Sequence, residues 1–473
     1  MKKTVHNFVY QSIFQLVKII LPIVTIPIVS NALGPYGIGV YNYTNSIAQY
    51  FVLIAGLGVG VYGNREIARI RDDDEKLSQK FWELFSMSFL ISFISLILYL
   101  VVVSFSKERF YFYLQAIVIV AAVFDISWFF MGIEDFKKTS LSSLAAQLIS
   151  FLAILFFVKE KSDLWIYILI QSMNILISQG FMWIFIWEKI TFVRIKIRDM
   201  AQHILPSLQY FIPKVAIILY TNLNKTLLGW LDTKDAVGFF SNTLLMNGIL
   251  VTLVTTLDMV LLPKFSNLVA KGHVQEILKT MKKTITLQLF FTIPMMFGIL
   301  IVTPKLVPWF FGPEFLLLIK TIPMVSPLII IMPLGMAVGR QYLVPMNRIT
   351  VYNKAVIYGA IVSVIANLIL IPYIGIYGAI IATLLAETFV TLTRFFAFKK
   401  ETNISLGYKN IILCVLAGII MYVVTSYVTN PLSSSMITTV IQGILGVVIY
   451  MIATMVFKVN PIYDLLTKKK MEA

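Results

Sequence analysis

Apolar residues run along this chain in stretches of about twenty, separated by short breaks that hold most of its Lys, Arg, Asp and Glu. A helix of ~20 apolar residues spans the ~30 Å hydrocarbon core of a bilayer. The pattern predicts fourteen such helices, at residues 8–31, 37–62, 81–103, 110–131, 140–158, 164–187, 204–227, 237–262, 284–302, 315–339, 351–371, 375–396, 410–430 and 436–457. The expected fold class is an all-α polytopic membrane protein. One link departs from the pattern. Residues 188–202 alternate apolar and basic positions (Val193-Arg194-Ile195-Lys196-Ile197-Arg198) and read equally as an interfacial strand or helix.

Composition agrees with that solvent. Hydrophobic residues make up 59% of the chain and charged ones 13%, against roughly a quarter in soluble domains. The net charge of +16 is scattered through inter-helix loops, which excludes a nucleic-acid surface and leaves a topology signal. With the N-terminus inside, 28 Lys and Arg fall on the cytoplasmic side and 6 on the other, so both termini are expected in the cytoplasm. Trp82, Trp165, Trp187, Trp230 and Trp309 lie near expected helix ends, as an interfacial belt requires. Met1-Lys2-Lys3 leads into an apolar run too long for a cleaved signal, so the first helix is read as retained.

The single cysteine, Cys414, rules out an internal disulfide, and His6, His203 and His273 are too far apart in sequence to suggest a metal site. External loops are short, none much longer than 303–314, so no external domain holds a soluble active site. No nucleotide motif or nucleophile–base pattern is present, and neither a cofactor nor ATP-driven transport is expected.

A weak internal repeat divides the chain. Leu33-Gly34 and Gly39-Val40-Tyr41-Asn42-Tyr43-Thr44 align with Leu228-Gly229 and Gly238-Phe239-Phe240-Ser241-Asn242-Thr243. The expected organisation is a six-helix bundle over 1–202, a pseudo-symmetric one over 203–400, and a further helix pair with a cytoplasmic tail over 401–473.

Charges inside the spans are the candidates for chemistry, because a charge at bilayer mid-depth costs roughly 2.5–3.5 kcal/mol on insertion scales. Lys18 and Lys214 sit near mid-depth in the first helix of each half and suit an anion such as a phosphate in a wet cavity; structural ion pairs are the alternative. Lys225 and Asp258 lie closer to helix ends, where snorkelling serves as well. Asp125 and Glu387, placed mid-span, are candidates for H+ or Na+ coupling or for pairing with a lysine. Asn42, Asn45 and Gln49 carry amides suited to sugar hydroxyls, or to joining helices. Arg65 follows helix two and is a further candidate contact.

Several short motifs occur in order along the chain. They are Asn31-Ala32-Leu33-Gly34, Tyr62-Gly63-Asn64-Arg65-Glu66-Ile67-Ala68, Phe124-Asp125-Ile126-Ser127-Trp128, Leu262-Pro263-Lys264-Phe265, Phe311-Gly312-Pro313-Glu314-Phe315, and Gly378-Ala379 leading to Glu387. Over nearly its whole length the chain resembles the bacterial polysaccharide repeat-unit flippases of the multidrug/oligosaccharidyl-lipid/polysaccharide exporter superfamily. The resemblance implies two helix bundles around a central cationic cavity, worked by alternating access. It implies as substrate an undecaprenyl-diphosphate-linked oligosaccharide, moved to the outer leaflet of the bacterial plasma membrane. Lys18 and Lys214 match where such proteins place cavity cations. Implied partners are the bilayer, the lipid-linked oligosaccharide, a polysaccharide polymerase and a chain-length regulator. A multidrug or cation antiporter of the same superfamily is the alternative, and a membrane-embedded polymerase a more distant one.

Overall fold

The computed structural model describes the backbone of residues 2–272, 274–402 and 407–461. Side chains are described from residue 20 onward within those ranges, except at 212, 213, 216, 217, 257, 259, 260, 262–264 and 274. Helices dominate, and no strand occurs among the described residues. Twelve described segments are long and apolar enough to cross a membrane. One of them continues a helix that bends at Gly34; counting the two arms of that helix separately, and adding α9 below, recovers the fourteen expected spans.

By contact the chain parts into two compact units, Met1–Gly229 and Trp230–Ala473. The first holds α1 (Lys2–Gly56), α2 (Val59–Ile70), α3 (Asp74–Val103), α4 (Arg109–Val123), α5 (Ser127–Gly132), α6 (Phe136–Phe157), α7 (Leu164–Ile186), α8 (Ile197–Ala201) and nearly all of α9 (Ile204–Leu231). The division thus follows α9, whereas the loop pattern suggested a seam at 202. The physical reason is that α9 is bonded along its length to α1 and α2, as described below.

Gly34 breaks α1 because its backbone, at φ 65 and ψ −178, is a conformation that glycine adopts at little cost, and Pro35 follows it. Gly58, at φ 78, opens α2. A Cβ there would collide with the Ser207 carbonyl and the Phe211 amide, so α9 packs backbone to backbone on this corner. Ser207 Oγ donates to the Leu57 carbonyl at 2.6 Å in the same place. Next to it, Gly63 lies flat under the Trp128 ring. Tyr62, Ile67, Phe81, Leu84, Ile126, Trp128, Phe129, Phe130 and Ile186 form one buried cluster around these contacts. Two of the sequence motifs therefore meet as a packing joint. The link after α7 is irregular up to Lys196 and ends in the single turn of α8, neither of the two forms its alternation suggested. It is held to α3 by Trp82 Nε1, which donates to the Thr191 carbonyl at 2.9 Å.

The second unit holds α10 (Lys234–Ala270), α11 (Val274–Phe310), α12 (Leu318–Val325), α13 (Leu328–Val338), α14 (Ile349–Ile374), α15 (Ile376–Thr402), α16 (Tyr408–Thr429) and α17 (Met436–Val456). A π-helical turn, Gly339–Leu343, extends α13. The terminal pair packs into this unit against α11: Gly418 abuts Phe297, and Tyr450 Oη donates to the Phe290 carbonyl at 3.1 Å. Between α11 and the pair runs an apolar cleft of about 340 Å³, lined by Pro294, Gly298, Met421, Gly443 and Gly446 among others, with no charged residue in its wall.

Candidate functional site

The polar residues of α1 and α9 meet along one seam. Asn42, Ser46 and Tyr50 recur every four residues and so share a face of α1. Lys225 Nζ donates to Asn42 Oδ1 at 3.0 Å. Thr226 Oγ1 lies 2.9 Å from Ser46 Oγ and 3.0 Å from Tyr50 Oη. Lys225 was expected near a helix end, as a substrate contact or with its amine drawn outward. Instead α9 continues to Leu231 and the side chain is half-buried against α1.

Lys214 is exposed and forms no ion pair among the described residues. It stands eleven residues before Lys225, three turns along the same face, or about 16 Å at 1.5 Å per residue. One turn before Lys214 on that face is Tyr210, whose hydroxyl accepts from Arg65 Nη1 at 2.6 Å. The face of α9 thus gathers Arg65, Lys214 and Lys225 into one stripe. A phenol holds the first, an amide the last, and neither partner carries charge. Five other cations of the first unit are paired with carboxylates: Lys76 with Asp73, Lys80 with Glu83, Arg69 with Glu66, Arg71 with Glu134 and Lys138 with Glu188. Within the stripe, charge remains available to an anion.

The other candidates divide. The side chain of Lys18 lies outside the described residues; its backbone belongs to the first arm of α1. Asn45 Nδ2 is 3.4 Å from Gln115 Oε1, and Gln115 in turn is 3.4 Å from Thr44 Oγ1, so this amide joins α1 to α4. Gln49 is half-buried. Asp125, expected in mid-span, stands where the helix breaks between α4 and α5. Its Oδ1 accepts from the Ser127 amide at 2.9 Å, and its carbonyl accepts from Trp128 Nε1 at 2.9 Å, which ties the carboxylate to the turn. Glu387 is half-buried in α15.

Sequence reading did not anticipate a buried network at the start of α9. His203, 4% exposed, has Nδ1 at 2.8 Å from Tyr62 Oη and Nε2 at 2.9 Å from Glu83 Oε2. Glu83, 2% exposed, also accepts from Lys80 at 2.6 Å and Gln79 at 2.9 Å. Nothing in the spacing of 62, 83 and 203 announces this, because three separate elements bring the residues together. Among the described residues no group of three His, Cys, Asp or Glu is placed to hold a metal.

A many-helix chain of this form, with twelve described segments able to cross a bilayer, is a multi-pass membrane protein. The chain belongs to the family of polysaccharide biosynthesis proteins, which it matches over residues 4–269. It is 24% identical over 403 residues to an Escherichia coli (strain K12) protein named for O-antigen transport, covering 82% of this chain and 94% of that one. It is 23% identical over 240 residues to a Haloferax volcanii protein named as a flippase of low-salt glycan biosynthesis, covering 50% of this chain and 51% of that one. Among solved structures, the lipid II flippase MurJ in an inward closed conformation superposes with a TM-score of 0.80 at 16% identity, over 97% of this chain and 100% of that one. An inward-facing multidrug transporter of the MATE family, in the MOP superfamily, gives 0.63 at 15% identity, over 81% and 95%. The expected all-α membrane fold and membership of a polysaccharide biosynthesis family are borne out, and the curated relatives are named as a transporter and a flippase.

Proposed function

We propose that this protein is a flippase that carries an undecaprenyl-diphosphate-linked oligosaccharide repeat unit from the inner to the outer leaflet of a bacterial plasma membrane, for surface polysaccharide synthesis. It works by alternating access through a cationic central cavity, with both termini in the cytoplasm. A diphosphate does not cross hydrocarbon unshielded, and sugar hydroxyls need partners throughout the passage. The single observation that carries the reading is the stripe of Arg65, Lys214 and Lys225 along α9, whose partners are neutral. Lysines meet phosphate as point charges, while Arg65 adds the planar donor fork that binds phosphate oxygens in pairs. The half-buried amide of Gln49 is assigned to sugar hydroxyls, while Asn42 and Asn45 hold helices and Lys225 in place; the polyprenyl tail stays with lipid, and the apolar cleft of the second unit has the chemistry such a chain requires. An inside-negative potential favours outward movement of negative charge by about 2.3 kcal/mol per charge per 100 mV.

The related name of the Escherichia coli protein and the family both support a glycan passenger. The likeness to a multidrug transporter keeps a cationic-drug antiporter as the second reading. A drug cation would meet like charge on α9, which favours the first. The test is surface polysaccharide in cells that depend on this gene. Lys214→Ala together with Lys225→Ala is expected to lower output about tenfold or more, since a charge-assisted contact contributes about 1.5–3 kcal/mol, with insertion into the membrane unchanged. Full output from the double variant would reject the cationic mechanism.

A further inference from the structure

The alternating link that follows α7 plays no part in the transport mechanism. α7 is long and apolar enough to cross a membrane and ends at Ile186, so the link begins at a bilayer surface. No hydrogen bond among the described residues engages the backbone amides of residues 192–195. Such donors have no partner in hydrocarbon, which places the stretch at headgroup level, among water and phosphates.

The link is held from its inner side. Ile190 belongs to the buried cluster of the first unit, and the Thr191 amide donates to Ser78 Oγ of α3 at 3.1 Å, beside the bond from Trp82 to the Thr191 carbonyl. Beyond this anchor the alternation of the sequence becomes an alternation of exposure. Val193 and Ile195 are half-buried, while Phe192, Arg194 and Lys196 are exposed. The backbone at Lys196 is extended, at φ −95 and ψ 152, as a period of two requires.

The outer side combines charge with apolar surface. Lys189, Arg194, Lys196 and Arg198 are exposed and form no ion pair among the described residues. The two acids of the segment are engaged: Glu188 pairs with Lys138 at 2.7 Å, and Asp199 Oδ2 accepts from the Lys196 amide at 3.2 Å. Between the cations stand Phe192 and Ile197, 69% and 81% exposed. The Trp82 ring joins Phe192 to Trp187, with centroids 5.1 and 6.3 Å away, so these rings form one belt at the surface.

The mixture discriminates among partners. A nucleic acid offers phosphate to the cations and leaves Phe192 and Ile197 in water. An anionic phospholipid serves both from one molecule, its phosphate meeting cations and free amides and its upper acyl chain meeting the rings. Arg194 and Lys196, two residues apart, are at most about 7 Å apart at Cα, within reach of one phosphate.

We propose that residues 187–198 form a binding site for an anionic phospholipid, with its phosphate on Arg194 and Lys196 and its chain against Trp187 and Phe192. Lys189 and Arg198 add to the field that draws it in. The leaflet is the one that meets this end of the first unit, cytoplasmic in the orientation proposed above. The site requires nothing of the glycan substrate.

The test uses the full-length protein in phosphatidylcholine nanodiscs doped with a phosphatidylglycerol that carries a photoactivatable diazirine beside its headgroup. Crosslinked peptides are mapped by mass spectrometry. Crosslinks to residues 187–198 are expected, and unlabelled phosphatidylglycerol should displace them about tenfold more effectively than phosphatidylcholine, since each Lys or Arg near an anionic surface contributes about fivefold. Arg194→Gln together with Lys196→Gln should cut the crosslinking about tenfold or more with the unfolding midpoint unchanged, and Arg194→Lys should keep most of it. Equal displacement by the two lipids, crosslinks that fall only on other segments, or unchanged crosslinking in the double variant overturns the proposal. So does displacement by inorganic phosphate or by an oligonucleotide as effective as that by the lipid, which would make the link a site for a soluble anion.

Discussion

Glu83 in the first unit and Asp258 in the second are both acidic side chains buried among membrane helices, and their surroundings differ in one respect. Glu83 accepts from Lys80, Gln79 and His203, and His203 is closed on its far side by Tyr62. Donors and acceptors balance, and no atom of this group is left without a partner. Asp258 accepts from two amides at one oxygen, while among the described residues its second oxygen, both amide oxygens and Nη1 of Arg340, whose charge acts on it, have no hydrogen-bond partner. A closed network rigidifies the helices it joins; an open one of the same polarity leaves buried groups at a cost in free energy. The Glu83 group lies where α2, α3 and the start of α9 meet, so its role is to fix the helix that bears the cationic stripe. Being buried and charged does not distinguish a site from a strut. Satisfaction does.

The comparison breaks first at Glu83. Glu83→Ala leaves a lysine, a histidine and an amide without their acceptor, and should cost about 2–3 kcal/mol of stability. That loss should appear in reversible unfolding in detergent; an unchanged stability would show that the network does not hold these helices together. Tyr62→Phe removes a single neutral hydrogen bond and should cost about 1 kcal/mol on the same measurement. Asp258→Asn is the smallest. The lost charge relieves a desolvation penalty as it weakens two hydrogen bonds, so stability should change by less than about 1 kcal/mol. A large loss there would mark Asp258 as structural.

The existence and order of the spans were legible because a bilayer imposes length and polarity on every helix that crosses it, whereas several ends, such as those of α9, α10 and α11, were not. The corner at Gly34 was legible as well, since Gly followed by Pro has few other places in a helical chain. Local sequence carries such features. It did not carry the break at Asp125, which sits in an apolar stretch and interrupts the helix only because the Trp128 indole and the Ser127 amide turn back on it. Nor did it carry the partner of Lys225, because that depends on where α9 ends and on Asn42 across the seam, both tertiary facts. The alignment of Tyr210, Lys214 and Lys225 on one helical face was available from spacing alone. What gave it meaning was Arg65, which reaches the face from α2. Asp258 looked peripheral by position and proved central by burial, since no periodicity reveals two glutamines arriving from other elements.

The account turns on uncompensated positive charge along α9 that accompanies a phosphorylated lipid across the bilayer. Purified protein in liposomes, given a fluorescent polyprenyl-diphosphate oligosaccharide in one leaflet, measures this directly through the rate at which the label reaches the other. Wild-type protein should move the lipid, and the Lys214→Ala/Lys225→Ala variant, equally well inserted, should move it at least about tenfold more slowly. Equal rates for the two proteins would contradict the account.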